Sequence, residues 1–283
     1  VERQEELCEI AAHNFPVLNL NHINIKNEDG VTYLQAMSPV DCLFLDPARR
    51  NEHGGKTVAI SDCEPNVAEL EGLLLSKANR IMIKLSPMLD LSQALKELPH
   101  TQEVHIISVN NECKELLLLL GQTAPEEIPV HCVNLSTKGE QEKQLFVFTR
   151  EQEQHSECSY TDTLGNYLYE PNASLLKAGA FRSIAAAYSV KKLHPNSHLY
   201  TSDTQIEGFP GRTFRIINRC SLNKKEIKEN LSDLKKANIT VRNFPATVAE
   251  LRKRIKLAEG GDTYLFASTL NDGQKILIRC GKV

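Results

Sequence analysis

Between residues 41 and 149, short apolar runs alternate with segments of helical periodicity, and few folds accommodate that order. DCLFLDP (41–47), RIMIKLSP (80–87) and EVHIISV (103–109) read as strands, the first of them buried. VAELEGLLLSKA (67–78), MLDLSQALKEL (88–98) and NECKELLLLLG (111–121) read as helices. IPVHCVNL (128–135) and KQLFVFTR (143–150) add two strands with no helix between them, which implies an antiparallel edge. Upstream, Leu7, Ile10, Ala11 and Phe15 stand at helical spacing within residues 4–15, and HINIKNED (22–29) alternates as a short strand ending in a loop. Strands and helices of these lengths in alternation build a doubly wound α/β sheet.

The pattern then changes. REQEQHSECSYTDTLGN (150–166) is polar and reads as a linker. EPNASLLKAGAFRSIAAAY (170–188) reads as a helix opening at Pro171, with Gly179 as a weak point. Beyond it the order is strand (212–220), helix (224–237), strand (238–244), helix (247–257) and a hairpin. Thr247 with Glu250 three residues on is a capping box, and Asn271-Asp272-Gly273 tolerates the positive φ angles of the hairpin turn. The divisions that follow are 1–158 for a first α/β domain, 159–211 for a linker and small unit, and 212–283 for a second small α/β domain.

Charge divides along the same line. Residues 1–159 carry 13 Lys and Arg against 25 Asp and Glu, and residues 160–283 carry 20 against 11, so a net −3 conceals −12 and +9. A basic half on an acidic one suits a polyanionic partner, nucleic acid being the commonest; a solvated basic surface, or one docked on the acidic half, is the plainer alternative. Arg242, with Arg252, Lys253, Arg254 and Lys256, is the expected phosphate-binding surface. Aromatic residues make up 6% of the chain, with no tryptophan, so recognition by shape and phosphate contacts is expected over base stacking. The eight cysteines are at least nineteen residues apart, a spacing that yields neither a zinc clamp nor a disulfide framework and suits reduced thiols in a cytoplasm. No apolar run approaches the ~18 residues of a membrane span. In HPNSH (194–198) Pro195 interrupts the helix that paired histidine ligands would need, so no metal is expected.

In open parallel sheets ligands gather beyond the carboxyl ends of strands. Glu2, Asp29 and Asp46 each follow a strand or strand stub. A carboxylate in the position of Glu2 can take both ribose hydroxyls of a nucleotide, and Asp29 lies where an adenine amine would be reached. Pro47 fixes φ near −65° and turns the chain sharply after Asp46. The bland readings remain open here: a terminal charge for Glu2, a turn at Asp29-Gly30, a strand stop at Asp46-Pro47, an edge charge at Lys84.

The order VER, NED, LFLDPARR, IKLSPMLD resembles the second to fifth strands of a class I S-adenosylmethionine-dependent methyltransferase, and DPAR is similar to the Asp-Pro-Pro-Arg motif of enzymes that methylate nucleobases. DCEPNV, NECKELL, YLYEPNASLLKAGAF, NSHLYTSD, FPGRTF, ANITVRNFP and GGDTYLFAS extend the likeness to a bacterial family with a THUMP-like C-terminal domain, over nearly all 283 residues. The resemblance implies a Rossmann-like methyltransferase sheet followed by a ferredoxin-like unit and a THUMP-like, RNA-binding domain, with S-adenosylmethionine as cofactor and tRNA or rRNA as partner. It implies that Glu2 holds the cofactor ribose, Asp29 its adenine, and that Asp46 orients the target base or the methyl donor. Arg49 or Arg50 would grip a phosphate, and Lys84 and Ser86 would complete the pocket wall. The glycine-rich loop of the first strand is absent, since no G-x-G occurs, so that strand is expected upstream of Val1 and the chain without it is expected to bind cofactor poorly. Enzymes of this kind that methylate pyrimidine carbon place a cysteine where this chain has Leu85-Ser86-Pro87, which favours methylation of nitrogen. DPAR, with alanine for the second proline, also suits a catalytically inactive RNA-binding or assembly factor on the same fold.

Overall fold

The computed structural model describes residues 1–49, 59–137 and 143–283. The chain packs as two compact units, Val1–Val104 with Glu115–Ile128, and His105–Lys114 with Pro129–Val283.

In the first unit, α1 (Glu5–Val17) and α2 (Gly30–Ala36) precede β1 (Val40–Leu45) and the two-residue strands β2 (Ala48–Arg49) and β3 (Cys63–Glu64). Next come α3 (Val67–Lys77), β4 (Ala78–Leu85), α4 (Leu91–Glu97), β5 (Thr101–Val109) and β6 (Glu112–Leu120), the turn end of the last two, His105–Lys114, being counted with the second unit. β1 runs parallel to β4, with Leu45 opposite Ile83, and β4 pairs antiparallel with β6. Ile81, Ile83 and Leu85 alternate into the core with Leu116, Leu118 and Leu120, all at most 3% exposed. Caps set the helix starts: Asn66 accepts from Ala68 N and Asp90 from Gln93 N.

Four expectations change here. The stretch 111–121 is strand β6, not a helix. Five consecutive leucines satisfy both periods, so the pattern cannot choose; Asn110 and Asn111, with φ 51° and 64°, choose by closing a tight two-residue turn. HINIKNED forms no strand. Its Asn27 makes one parallel bridge to Glu2, too short to hold a ladder. β1 is an edge rather than a buried strand, with Phe44 60% exposed. Helix α1 forms, but Leu7 and Ile10 stand exposed and Cys8 is the residue turned inward.

The second unit adds β7 (Pro129–Leu135), β8 (Lys143–Thr149) and α5 (Arg150–His155). It continues with β9 (Tyr167–Pro171), α6 (Ala173–Ala178), α7 (Arg182–Tyr188), β10 (Lys191–Lys192) and β11 (Tyr200–Ser202). β12 (Gly211–Cys220), α8 (Lys224–Leu231), β13 (Asn238–Val241), α9 (Val248–Ile255), β14 (Thr263–Thr269) and β15 (Lys275–Lys282) complete it. The strands order as β1-β4-β6-β5-β7-β8 in one mixed sheet and β10-β11-β9-β12-β15-β14-β13 in a second. The antiparallel β7–β8 pair matches expectation. In β14, Phe266 joins Phe214 and Ile278 in one core cluster, while Leu265 and Ala267 join Leu251 and Leu277 in the other, so the second sheet is covered on both faces. Residues 170–188 form two helices rather than one, because Gly179 ends α6 at φ 77°. The polar stretch after β8 is no free linker. Its Glu153 caps α7, accepting from Arg182 N at 2.8 Å and Ser183 N at 2.9 Å.

Candidate active site

The parallel register of β1 and β4 places Asp46 and Lys84 side by side at the carboxyl end of that pair. Their ion pair measures 2.7 Å from Lys84 Nζ to Asp46 Oδ2. A second carboxylate, Glu115 on β6, lies 3.8 Å from the same ammonium. The Asp46 hydrogen bond raises the Lys84 pKa above the ordinary lysine value against a smaller opposing desolvation, so Lys84 is a fixed cation at neutral pH and not a base. Glu115 escaped the sequence reading because it precedes the leucine run, which was read as helix; only the strand assignment turns it toward Lys84.

Asp46 and Pro47 stand at an apolar slot of about 370 Å³, lined also by Val1, Gly30, Tyr33, Leu43 and Leu45. Asp29 lies just before Gly30 as the N-cap of α2, its Oδ1 accepting from Val31 N at 3.1 Å and Thr32 N at 2.9 Å. These bonds hold its carboxyl below the ordinary aspartate range, the Thr32 backbone contributing most. Glu2 bridges to Asn27, and its Oε1 accepts from Gln4 N at 2.8 Å. The neighbouring Arg3 pairs with Glu64 at 3.1 Å. Ser86 opens the turn after β4, its Oγ accepting from Met88 N at 3.3 Å. Backbone pairing sets Arg49 opposite Cys63, and Arg50 lies outside the described residues. Asp46, Pro47 and Lys84 are thus brought together, and Glu2 and Asp29 stand next to slot-lining Val1 and Gly30.

Of the five basic candidates of the second unit, Lys253, Arg254 and Lys256 are exposed; Arg254 also donates to Leu222 O at 2.8 Å, and half-buried Arg252 to Ala237 O at 3.2 Å. Arg242 grips Glu170, a carboxylate only 2% exposed, through Nε at 3.2 Å and Nη2 at 2.9 Å. Arg212 takes the other oxygen of the same carboxylate, its Nε at 2.9 Å. One negative charge between two guanidinium groups leaves the trio a net cation. Glu170 and Arg212 were missed as site residues, because nothing in YEPN or FPGR signals that β9 and β12 are neighbours. All eight cysteines are free thiols, and burial pushes the thiols of Cys220 and Cys280 up to about 11 and about 12. No helix among the described residues is long and apolar enough to cross a membrane.

Family models match two segments: a ferredoxin-like domain over residues 167–210 and a THUMP domain-like module over residues 211–282. The chain is 39% identical to a candidate methyltransferase from Porphyromonas gingivalis W83, whose crystal structure superposes with a TM-score of 0.90 over 100% of this chain and 70% of that one. No match was found among curated proteins.

Proposed function

The chain belongs to the family of that Porphyromonas gingivalis protein with its C-terminal THUMP-like domain, and on this footing we propose that it is an S-adenosylmethionine-dependent methyltransferase acting on a base nitrogen of tRNA or rRNA. The observation that carries the reading is the Asp46–Lys84 pair, set at the carboxyl ends of two parallel strands beside an apolar slot. The slot suits a flat purine ring, with Asp29 and Glu2 placed nearby for an adenine amine and a ribose diol. When bound, S-adenosylmethionine supplies an electrophilic methyl group.

What the chain contributes is alignment and exclusion of water. Lys84 fixes the Asp46 carboxylate by charge and hydrogen bond. Asp46 accepts a hydrogen bond from the target N–H and turns the nitrogen lone pair along the line of attack. Pro47 keeps that carboxylate at the slot's rim, and Arg49 and Arg50 supply cations for the flanking phosphate. Lys84, Glu115 and Asp46 together carry one net negative charge, which favours the positive charge that builds on the accepting nitrogen. Arg242, Lys253 and Lys256 hold the RNA body from the THUMP-like domain. The division into 1–158 for methyl transfer and 159–211 with 212–283 for RNA follows this reading.

The test is S-adenosylhomocysteine calorimetry on the intact protein together with transfer of labelled methyl groups to total cellular RNA. Binding and transfer are expected, and Asp46→Ala is expected to lower transfer at least a hundredfold. Retention of RNA without binding or transfer would leave the catalytically inactive RNA-binding factor as the reading.

A further inference from the structure

A second cleft lies wholly within the second unit, away from the Asp46–Lys84 pair in sequence and composed differently. It has a volume of about 570 Å³ and is lined by side-chain amides: Asn110, Asn111, Asn134, Gln144 and Asn172, with Arg212 and Lys282 among its cations. Ligand sites commonly fall between roughly 300 and 1,000 Å³. The slot at Asp46 is apolar by contrast, so one ligand chemistry does not suit both.

The orientation of each amide follows from backbone groups it cannot choose. Asn111 Oδ1 accepts from Ala173 N at 2.9 Å, and Asn134 Oδ1 from Asn111 N at 2.9 Å. Asn172 Oδ1 accepts from Leu175 N at 3.3 Å and from Ser174 Oγ at 2.6 Å. Gln144 Nε2 donates to Gly211 O at 3.1 Å, which turns its oxygen to accept from Asn134 Nδ2 at 3.2 Å and Asn172 Nδ2 at 3.0 Å. The oxygens of Asn172 and Gln144 therefore accept twice, and those of Asn111 and Asn134 once each. The nitrogens are less used: among the described residues Asn134, Gln144 and Asn172 each use one of two N–H donors, and Asn111 neither of its own. A wall with more spare donors than spare acceptors favours a ligand rich in acceptors. Arg212 at the same cleft is held rigid by the buried Glu170, and its Nη1 makes none of the contacts to that carboxylate. Glu207 is the one carboxylate side chain among the lining residues.

We propose that this cleft holds one nucleotide of single-stranded RNA, its phosphate on Arg212 and Lys282 and the carbonyl edge of its base on the spare amide N–H groups. The inference rests on the RNA reading given above and extends it to a site outside the five basic residues. Carbonyl-bearing uracil suits such a wall better than adenine, whose exocyclic amine is a donor.

The experiment uses octauridylate and octaadenylate, titrated into the intact protein by fluorescence anisotropy at several salt concentrations. Asn111→Asp is the decisive variant: it keeps the acceptor for Ala173 N, tolerates the positive φ, removes the spare donors and adds a charge against phosphate. Tighter binding of octauridylate is expected, with Asn111→Asp weakening it at least tenfold at an unchanged Tm. Arg212→Lys, which keeps the charge and loses the fork, is expected to weaken it about fivefold or more. Wild-type binding that both variants leave unchanged, or a preference for octaadenylate, would overturn the proposal. A wild-type protein that binds neither oligonucleotide nor total RNA would instead defeat the RNA reading on which it rests.

Discussion

Lys84 shows how much a single contact constrains the chemistry. Its side chain is 30% exposed, yet its ammonium lies between Asp46 and Glu115, and the raised pKa makes it a counter-ion. Lys84→Met is expected to lower methyl transfer at least tenfold by releasing Asp46, while Lys84→Arg restores part of it; a single-turnover assay separates this from substrate affinity. His198 behaves in the opposite sense. Stacked on Phe181 at 3.7 Å, its imidazole is held neutral by burial first and by Lys192 and Arg242 second, which depresses its pKa to about 4. The unfolded chain binds that proton near pH 6.5, so the folded state gains most from His198 above that value. Stability is expected to fall as the pH drops from 6.5 toward 4, and His198→Phe is expected to flatten that part of a urea-denaturation series.

Among the elements, the clearest local signals are caps and turns. Thr247 accepts from Glu250 N at 3.3 Å while the Glu250 carboxylate reaches back to Thr247 N at 2.7 Å, closing the expected box on α9. Thr247→Ala is expected to cost about 1 kcal/mol in urea unfolding. Gly211 is constrained by its neighbour strand: a Cβ there would run into Glu170 O and meet Pro171 Cα at 2.9 Å, both backbone atoms of β9. Gly211→Ala is therefore expected to lower the Tm sharply by prising β12 from β9, a loss that Gly72→Ala in α3, with no neighbour within 4 Å and no positive φ, escapes. Caps and most strands were legible from residues alone because both depend on a few positions, although the alternating HINIKNED forms no strand. The leucine run of β6 was not, since its two periods coincide and a turn outside the run decided between them.

For the whole molecule, charge and family modules coincide: the basic half, residues 160–283, carries both the ferredoxin-like and the THUMP-like match. The Glu170 trio joins the modules, since Glu170 belongs to the ferredoxin-like match and Arg212 and Arg242 to the THUMP-like one. Removing Glu170 would leave two guanidinium groups facing each other without their carboxylate, and Glu170→Ala is expected to destabilise by about 3–5 kcal/mol in calorimetric unfolding.

Residues alone fixed what depends on short-range chemistry: which segments are apolar, where Asp46-Pro47 ends a strand, where Thr247 begins a helix, and which half is basic. Pairing between distant segments belonged to the folded chain. Asp46 meets Lys84 only because β1 and β4 run parallel in one register, and Arg242 meets Glu170 across 72 positions of sequence. The donor-rich cleft likewise draws on the β5–β6 turn, β7, β8, the residue after β9, and β12. No local pattern encodes such meetings, because the free energy that selects them comes from burying whole faces of sheet at once.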